Sequence, residues 1–398
     1  MRPMTAKPTY VADVTLFDGR TVKGRRGVLF DEEGIAWVGA HTRAPREAGD
    51  ARTVEGVGRT LLPGLIDVHV HLQFDGSEDF EGESKALTTP GHAAIKAVVN
   101  ARRNLEAGVT TVRDLGGMGG ASIDVARAVA AGTIPGPRIL AAGRALTVTG
   151  GHGHNIALSR EVDGADGVRA AVREEIRAGA TAIKLIATGG VLTPGIPVSF
   201  SAFTAEELEA GVREAHERGL PVAAHAIGAE GIRAAVLAGV DSIEHCNQLT
   251  TATAREMVER GTYRSPTISA IRGIVEHADA VPAYAVEKAK QVEADSRRSH
   301  ATAIRAGIRH ACGTDAGTPL NPHGGAAREI VSMIEWGMRP IEALRAATLH
   351  GATLLRLDDV GTVEAGKRAD LLLVEGDPVD DPTVLWGSKR VWQGGRAV

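Results

Sequence analysis

Cysteine is scarce: only Cys246 and Cys312 occur in 398 residues. That excludes the disulfide-stapled secreted class and points to a reducing, cytoplasmic setting. Aromatic residues make up 3%, too few for a platform that stacks bases or sugars. There is no cationic surplus either, since 45 Lys and Arg face 49 Asp and Glu, for a net charge of −4. Nucleic acid is therefore not an expected partner, because nothing is spare to neutralise a phosphate backbone. No apolar run approaches the roughly 18 residues of a membrane span. The opening MRPMTAKPTY also lacks the apolar core of a signal peptide. A small-molecule substrate is the partner class that remains.

Glycine is plentiful, with 49 residues, and the 43% apolar and 24% charged fractions are those of an ordinary globular chain. The length suits a barrel of roughly 250–300 residues plus a smaller domain. Residues 9–62 hold short apolar runs with turn signals at Asp18-Gly19 and Glu33-Gly34, and residues 362–398 look alike. Between them apolar strands alternate with helical periods. Eight candidate strands are LIDVHVHL, TTVRDL, RILAAGRAL, AIKLIAT, PVAAHA, DSIEHC, YRSPTI and RHACGTD. Helical spacing runs through Val168, Val172 and Ile176 to Gly179, and Thr204 with Glu207 forms a capping-box pattern. The expected class is α/β: a (β/α)8 TIM-like barrel over 63–361, with a small β-sandwich domain built by 1–62 and 362–398 together. Both ends of a closed barrel emerge side by side, which makes a shared domain natural; two separate extensions are the alternative. No G-x-G-x-x-G follows the first strand to support a dinucleotide fold.

The informative polar residues fall at strand ends, where such barrels place their chemistry. His69 and His71 close the first strand, and residues two apart share a face, so both point inward and can hold one ion. Lys184 sits inside the apolar run AIKLIA. A buried ammonium needs a partner or a changed charge state. It either reaches out to a salt bridge or takes up CO2 as a carbamate that bridges two cations. His225 in VAAHA and His245 in SIEHC occupy matching positions on consecutive strands and read as the ligands of a second ion. Asp315 in CGTDAG is a turn former when seen alone; as the sixth convergent group it reads as a ligand and proton shuttle. Imidazole and carboxylate donors suit two divalent ions, zinc first among them. Cys246 should point away from His245, and both cysteines read as small buried apolar residues.

At PGLIDVHVHL, GVTTVRDLGG, IKLIATGG, PVAAHA, GVDSIEHC, CGTDAG and GTVEAGKRADLLLVEGDP the chain resembles the amidohydrolase superfamily. The match is to its binuclear, lysine-bridged branch, which includes prolidases, Xaa-amino-acid dipeptidases and proteins called imidazolonepropionase-like. The resemblance implies that His69, His71 and Asp315 hold the more buried metal and His225 and His245 the second. Carbamylated Lys184 and a hydroxide bridge the two, and Asp315 carries the proton to the leaving amine. A histidine in TGGHGHN touches the substrate carbonyl: His152 fits the pattern best and His154 is the alternative. The implied activity is hydrolysis of an amide C–N bond in a dipeptide or N-acyl amino acid. Relatives commonly self-associate, which implies a homo-oligomer.

One position departs from the family. Ile227 stands where relatives commonly carry a tyrosine or histidine that meets the substrate carboxylate. That opens the way to a more apolar amide, carbamate, urea or ester. Arg113, Arg144 and Arg272 are the candidates to replace the missing contact. The loops 73–91, 188–203 and 269–296 should shape the pocket, and the acidic 73–91 stretch reads as a mobile lid or as an ordinary solvated loop. A mononuclear deaminase or cyclic-amide hydrolase is the competing class, but Gly228 lies where its glutamate is expected and Lys184 would have no task. A catalytically dead scaffold is the third, and disfavoured because every ligand position is filled.

Overall fold

The computed structural model describes residues 7–398; the first six residues of the segment examined for a signal core lie outside these. Strands β1 (Thr9–Phe17), β2 (Val22–Asp31), β3 (Gly34–Ala40), β4 (Arg52–Glu55) and β5 (Arg59–Pro63) open the chain. They share one sheet with β15 (Leu371–Glu375), β16 (Lys389–Gln393) and β17 (Arg396–Ala397) from the other end. The order is β17-β16-β15-β5-β1-β2-β3, with β4 also on β1. Leu371 to Glu375 run antiparallel to Pro63 to Arg59, so the two chain ends are stitched directly together. Val11, Val14, Phe30, Leu61, Leu371 and Trp392 share one buried cluster beneath this sheet.

Between those ends every paired strand is parallel to its neighbour. β6 (Leu65–Val70), β7 (Val109–Asp114) and β8 (Arg138–Ala141) form one group. β9 (Ala145–Thr147), β10 (Ser159–Glu161), β11 (Ile183–Ile186), β12 (Val222–Ala226), β13 (Ser242–His245) and β14 (Tyr263–Ser265) form the other. Each is short and, apart from the half-exposed β10, buried nearly throughout, as strands covered on both faces must be. The stretch read as a third strand, RILAAGRAL, is split into β8 and β9. The eighth candidate forms only isolated bridges, from His310 to Arg264 and from Ala316 to Val70. Backbone bonds Ala311 N to Arg264 O (3.0 Å) and Val68 N to Cys312 O (2.8 Å) nevertheless tie this segment to β14 and to β6.

Helices fill the connections: α1 (Phe80–Ala86), α2 (Pro90–Glu106), α3 (Ala121–Ala130), α4 (Ala165–Ala178), α5 (Ala205–His216), α6 (Ala229–Ala238) and α7 (Thr251–Arg260). They continue with α8 (Ile268–Glu276), α9 (Ala283–Ala306), α10 (Ala326–Glu335), α11 (Pro340–Ala346) and α12 (Leu349–Leu354). α4 buries Val168 and Val172 and stops at Gly179, whose φ of 113° lies in the left-handed region. α5 begins with the expected capping box, Thr204 accepting from the Glu207 N–H and Glu207 reaching back to Thr204 N. Two of the stretches read as loops are helical in part: 73–91 contains α1, and 269–296 is mostly α8 and α9. In the second case AYAVEKAKQVEAD is rich in Ala, Glu and Lys, and that local propensity carries α9 through 24 residues.

Candidate metal centre and its cavity

The strand register sets the depth of each side chain. Ile186 pairs with His225, and Ala226 with His245, so the two histidines lie at nearly one level while Lys184 sits two residues deeper. His69 and His71 leave β6 on one face. Asp315 is brought over them by its own N–H bonding His69 O at 2.7 Å, and by His71 N–H bonding Ala316 O at 2.8 Å. The result is one buried cavity lined by all six residues and by His152. Five imidazoles follow one another around it, His71–His69–His245–His225–His152, with centroids 4.6–5.4 Å apart. His154 is not on the wall; its Nδ1 bonds Gly151 O.

Hydrogen bonds fix which imidazole nitrogen faces inward. His71 Nδ1 donates to Gly116 O at 3.2 Å, which leaves Nε2 bare at 3.1 Å from Asp315 Oδ1. His69 Nδ1 donates to Glu244 Oε2 at 2.9 Å, and its Nε2 lies 3.3 Å from the same Asp315 oxygen and 3.5 Å from Lys184 Nζ. Lone pairs therefore converge where nothing but a proton or a cation relieves their repulsion. Burial holds His69 well below the ordinary imidazole range, which disfavours the proton. Among the described residues, His69, His71 and Asp315 form a group whose ligand atoms all lie within 4.8 Å, a fit to one ion. His245 Nδ1 donates to Thr267 Oγ1 at 2.7 Å, since that hydroxyl gives its own proton to Pro266 O. His225 Nε2 donates to Gly189 O at 3.0 Å. Each thus turns its remaining nitrogen loose, as second-sphere bonds do for metal-binding imidazoles.

Among the described residues, Lys184 has no carboxylate in salt-bridge reach; its Nζ lies 3.5 Å from His69 Nε2. Burial pushes it down to about 8, only partly opposed by the charges of Glu244 and Asp315. The salt-bridged alternative is thereby disfavoured, and an amine able to lose its proton is left. For Asp315, burial works to raise the carboxyl, but the facing His69, His71 and Lys184 outweigh it and hold it low. His152 is pushed down to about 3 by burial, so it acts as a neutral ring. A β-carbon on Gly190 would overlap that ring, so only glycine lets this loop backbone lie against it. Burial also pushes the thiol of Cys246 up to about 11 and that of Cys312 well above its usual range, leaving both inert.

Sequence reasoning missed Glu244. Alternation along SIEH puts Ser242 and Glu244 on the face that carries His69, and by itself it would turn His245 away. His245 reaches the cavity because its φ is 70° and that of Cys246 is 53°, a left-handed break that ends the strand. Glu244 is fully buried and joins His69 to Arg113, whose Nη2 bonds Oε1 at 2.9 Å. The visible signal was the S-x-E spacing, the same two-residue period as in H-x-H. Arg113 is thereby structural, Arg144 pairs with Glu175, and Arg272 pairs with Glu335. None of the three lines the cavity. Ile227 does, within an apolar cluster with Val198, Ile271 and Val292.

Converging imidazoles and a carboxylate at the ends of parallel strands define a class, the divalent-metal hydrolases. Residues 60–398 match the amidohydrolase family, and the chain belongs to it. It is a metal-dependent hydrolase that cleaves a C–N bond of a small molecule. It is 31% identical to ochratoxinase of Aspergillus niger over 99% of this chain and 88% of that one. Identity to an imidazolonepropionase of Micrococcus luteus is 30%, over 98% of both chains. A solved Xaa-Pro dipeptidase with bound methionine superposes with a TM-score of 0.88 at 34% identity, covering 98% of this chain and 99% of that one. No helix among the described residues is long and apolar enough to cross a membrane.

Proposed function

We propose that the chain hydrolyses the C–N bond of a small amide whose flanks are uncharged and largely apolar. The observation that carries this is the cavity wall. Phe80, Ile156, Leu158, Leu192, Ile227 and Ile271 line it, and apart from the histidines its basic side chain is Lys184. A substrate carboxylate would be desolvated there without a cation of its own, which is costly.

The donor set fits two divalent ions, zinc by preference. His69, His71 and Asp315 would hold one and His225 with His245 the other, with Lys184 as a carbamate between them. Such a pair, when bound, polarises the scissile carbonyl and acidifies water toward neutral pH. Asp315 takes the proton of the attacking water at its carboxylate and returns it to the leaving amine. His152, with Thr193 Oγ1 at 2.7 Å from its Nδ1, presents Nε2 to the substrate carbonyl. The same reading takes 63–361 as a closed (β/α)8 barrel, supported by the bonds tying segment 309–312 to β14 and β6. Residues 1–62 with 362–398 are then the flanking domain.

The test is a hydrolysis screen of zinc-loaded protein against aryl amides, carbamates and ureas, N-acyl amino acids with free or capped carboxyls, and Xaa-Pro, Xaa-Arg and Xaa-hydrophobic dipeptides. The expected result is preference for substrates without a free carboxylate. Turnover confined to free-acid dipeptides or N-acyl amino acids would overturn it. That second reading is favoured by the likeness to the Xaa-Pro dipeptidase structure.

A further inference from the structure

Asn247 follows β13 by two residues and lines the cavity beside His225, His245, Ile227 and Val292. It is fully buried, and among the described residues neither its Oδ1 nor its Nδ2 has a hydrogen-bond partner. Other asparagines of this fold behave differently. Asn100 donates to Leu72 O, Phe74 O and Asp75 Oδ1; Asn104 bonds Asn100 O and His323; Asn321 bonds Thr314 O. The backbone around Asn247 is held firmly. Ser299 donates to Asn247 O and accepts from Leu249 N–H, and Gln248 N–H bonds Ile227 O at 3.0 Å. The side chain is thus fixed at the wall while its amide is left open, an arrangement that is unfavourable until something completes it.

We propose that Asn247 is a substrate-binding residue whose carboxamide pairs with a neutral group offering both an acceptor and a donor, such as a carboxamide, carbamate or urea. The inference rests on the reading of the cavity as the site of C–N hydrolysis, and it names the chemistry that site selects. An amide side chain presents one acceptor and two donors. A carboxylate would satisfy Nδ2 and leave Oδ1 facing negative charge. An ester would likewise give Oδ1 no donor. A neutral N–H beside a C=O satisfies both, and the apolar neighbours exclude competing water. Asn247 thereby supplies the polar discrimination that Ile227 does not.

The experiment measures binding by titration calorimetry, using zinc-loaded protein with phenylacetamide, methyl phenylacetate and phenylacetate. Wild type is compared with Asn247→Leu, which keeps the volume, and with Asn247→Asp, which keeps a polar side chain should the first fail to fold. Metal content is measured in each. Wild type should bind the amide roughly tenfold or more tighter than the ester, the worth of one well-made buried hydrogen bond. In the variants that ratio should fall toward one at unchanged metal content. A ratio that survives the substitution, no preference in wild type, or no binding of any probe overturns the inference. The hydrolysis screen separates the two claims. An Asn247-dependent amide preference without C–N cleavage defeats the reaction and keeps the contact; cleavage with an unaltered ratio does the reverse.

Discussion

Glu244 shows how much of the centre is decided by residues that need not touch a metal. It holds the Nδ1 proton of His69 on one oxygen and the Arg113 guanidinium on the other, with all three side chains buried. Glu244→Gln should weaken metal binding by about 10–100-fold, as loss of such supporting bonds typically does. Competition with a chromogenic chelator checks it, and unchanged affinity would mean that strand geometry alone orients His69. A second buried group sits further out: His300 Nδ1 accepts from Arg264 Nη1 at 2.7 Å, with the His310 ring edge-to-face against it. Burial first, and Arg264 second, push His300 down to about 3 from an ordinary 6.5. The folded state therefore keeps this ring neutral while the unfolded chain protonates it. Its contribution to stability is complete above about pH 6.5 and is lost as pH falls toward 3, at up to about 1.4 kcal/mol per pH unit. His300→Gln should flatten that part of the stability–pH curve in denaturant titrations; an equal slope would assign it elsewhere. The ligand candidates were legible in the sequence because each polar residue interrupts an apolar strand. Glu244 and Asn247 were not, because a carboxylate or amide beside a histidine reads as one more polar residue until its partners, or their lack, are known.

Among the elements, α9 gives Ala289 and Val292 to the cavity wall, and it was read as loop. Strand-end reasoning sought residues between the seventh and eighth strands and passed over the helical composition there. Lys288 on α9 donates to Gly190 O, Thr193 O and Ile196 O, at 3.2, 2.7 and 2.7 Å, and so clamps the loop that backs His152 and Thr193. Lys288→Met removes every donor while keeping the aliphatic stem. The loop should then become a preferred cleavage site in limited proteolysis, and KM should rise more than kcat falls. Protection equal to wild type would show that the loop holds itself. The capping box of α5 and the glycine stop of α4 were readable in advance because both depend on local backbone chemistry. The eighth strand was expected over RHACGTD; its segment pairs through isolated bridges and is followed by a left-handed turn at Asp315, whose φ is 60°.

For the whole molecule, the joint sheet is the feature with the widest reach. Apolar runs and turn signals pointed to strands at both ends, but not to β15 lying directly on β5. Deleting residues 371–398 strips Leu371, Leu373 and Trp392 from the buried cluster and bares the edge of β5. The truncated chain should fail to accumulate as soluble protein, an exposed apolar edge being a template for aggregation. A soluble, folded product on size-exclusion chromatography would show that the remaining chain stands without it. The sheet also imposes an order on biosynthesis. β5 leaves the ribosome about 300 residues before β15, a wait of roughly 15–60 s at about 5–20 residues per second. Through that interval β1 to β5 hold an unfinished edge, which closes only once residues 371–375 have been made. Quality control by the cell is thereby built into chain order: a message cut short anywhere upstream yields a protein with an open sheet, marked for chaperones or proteases before its catalytic centre can be of use.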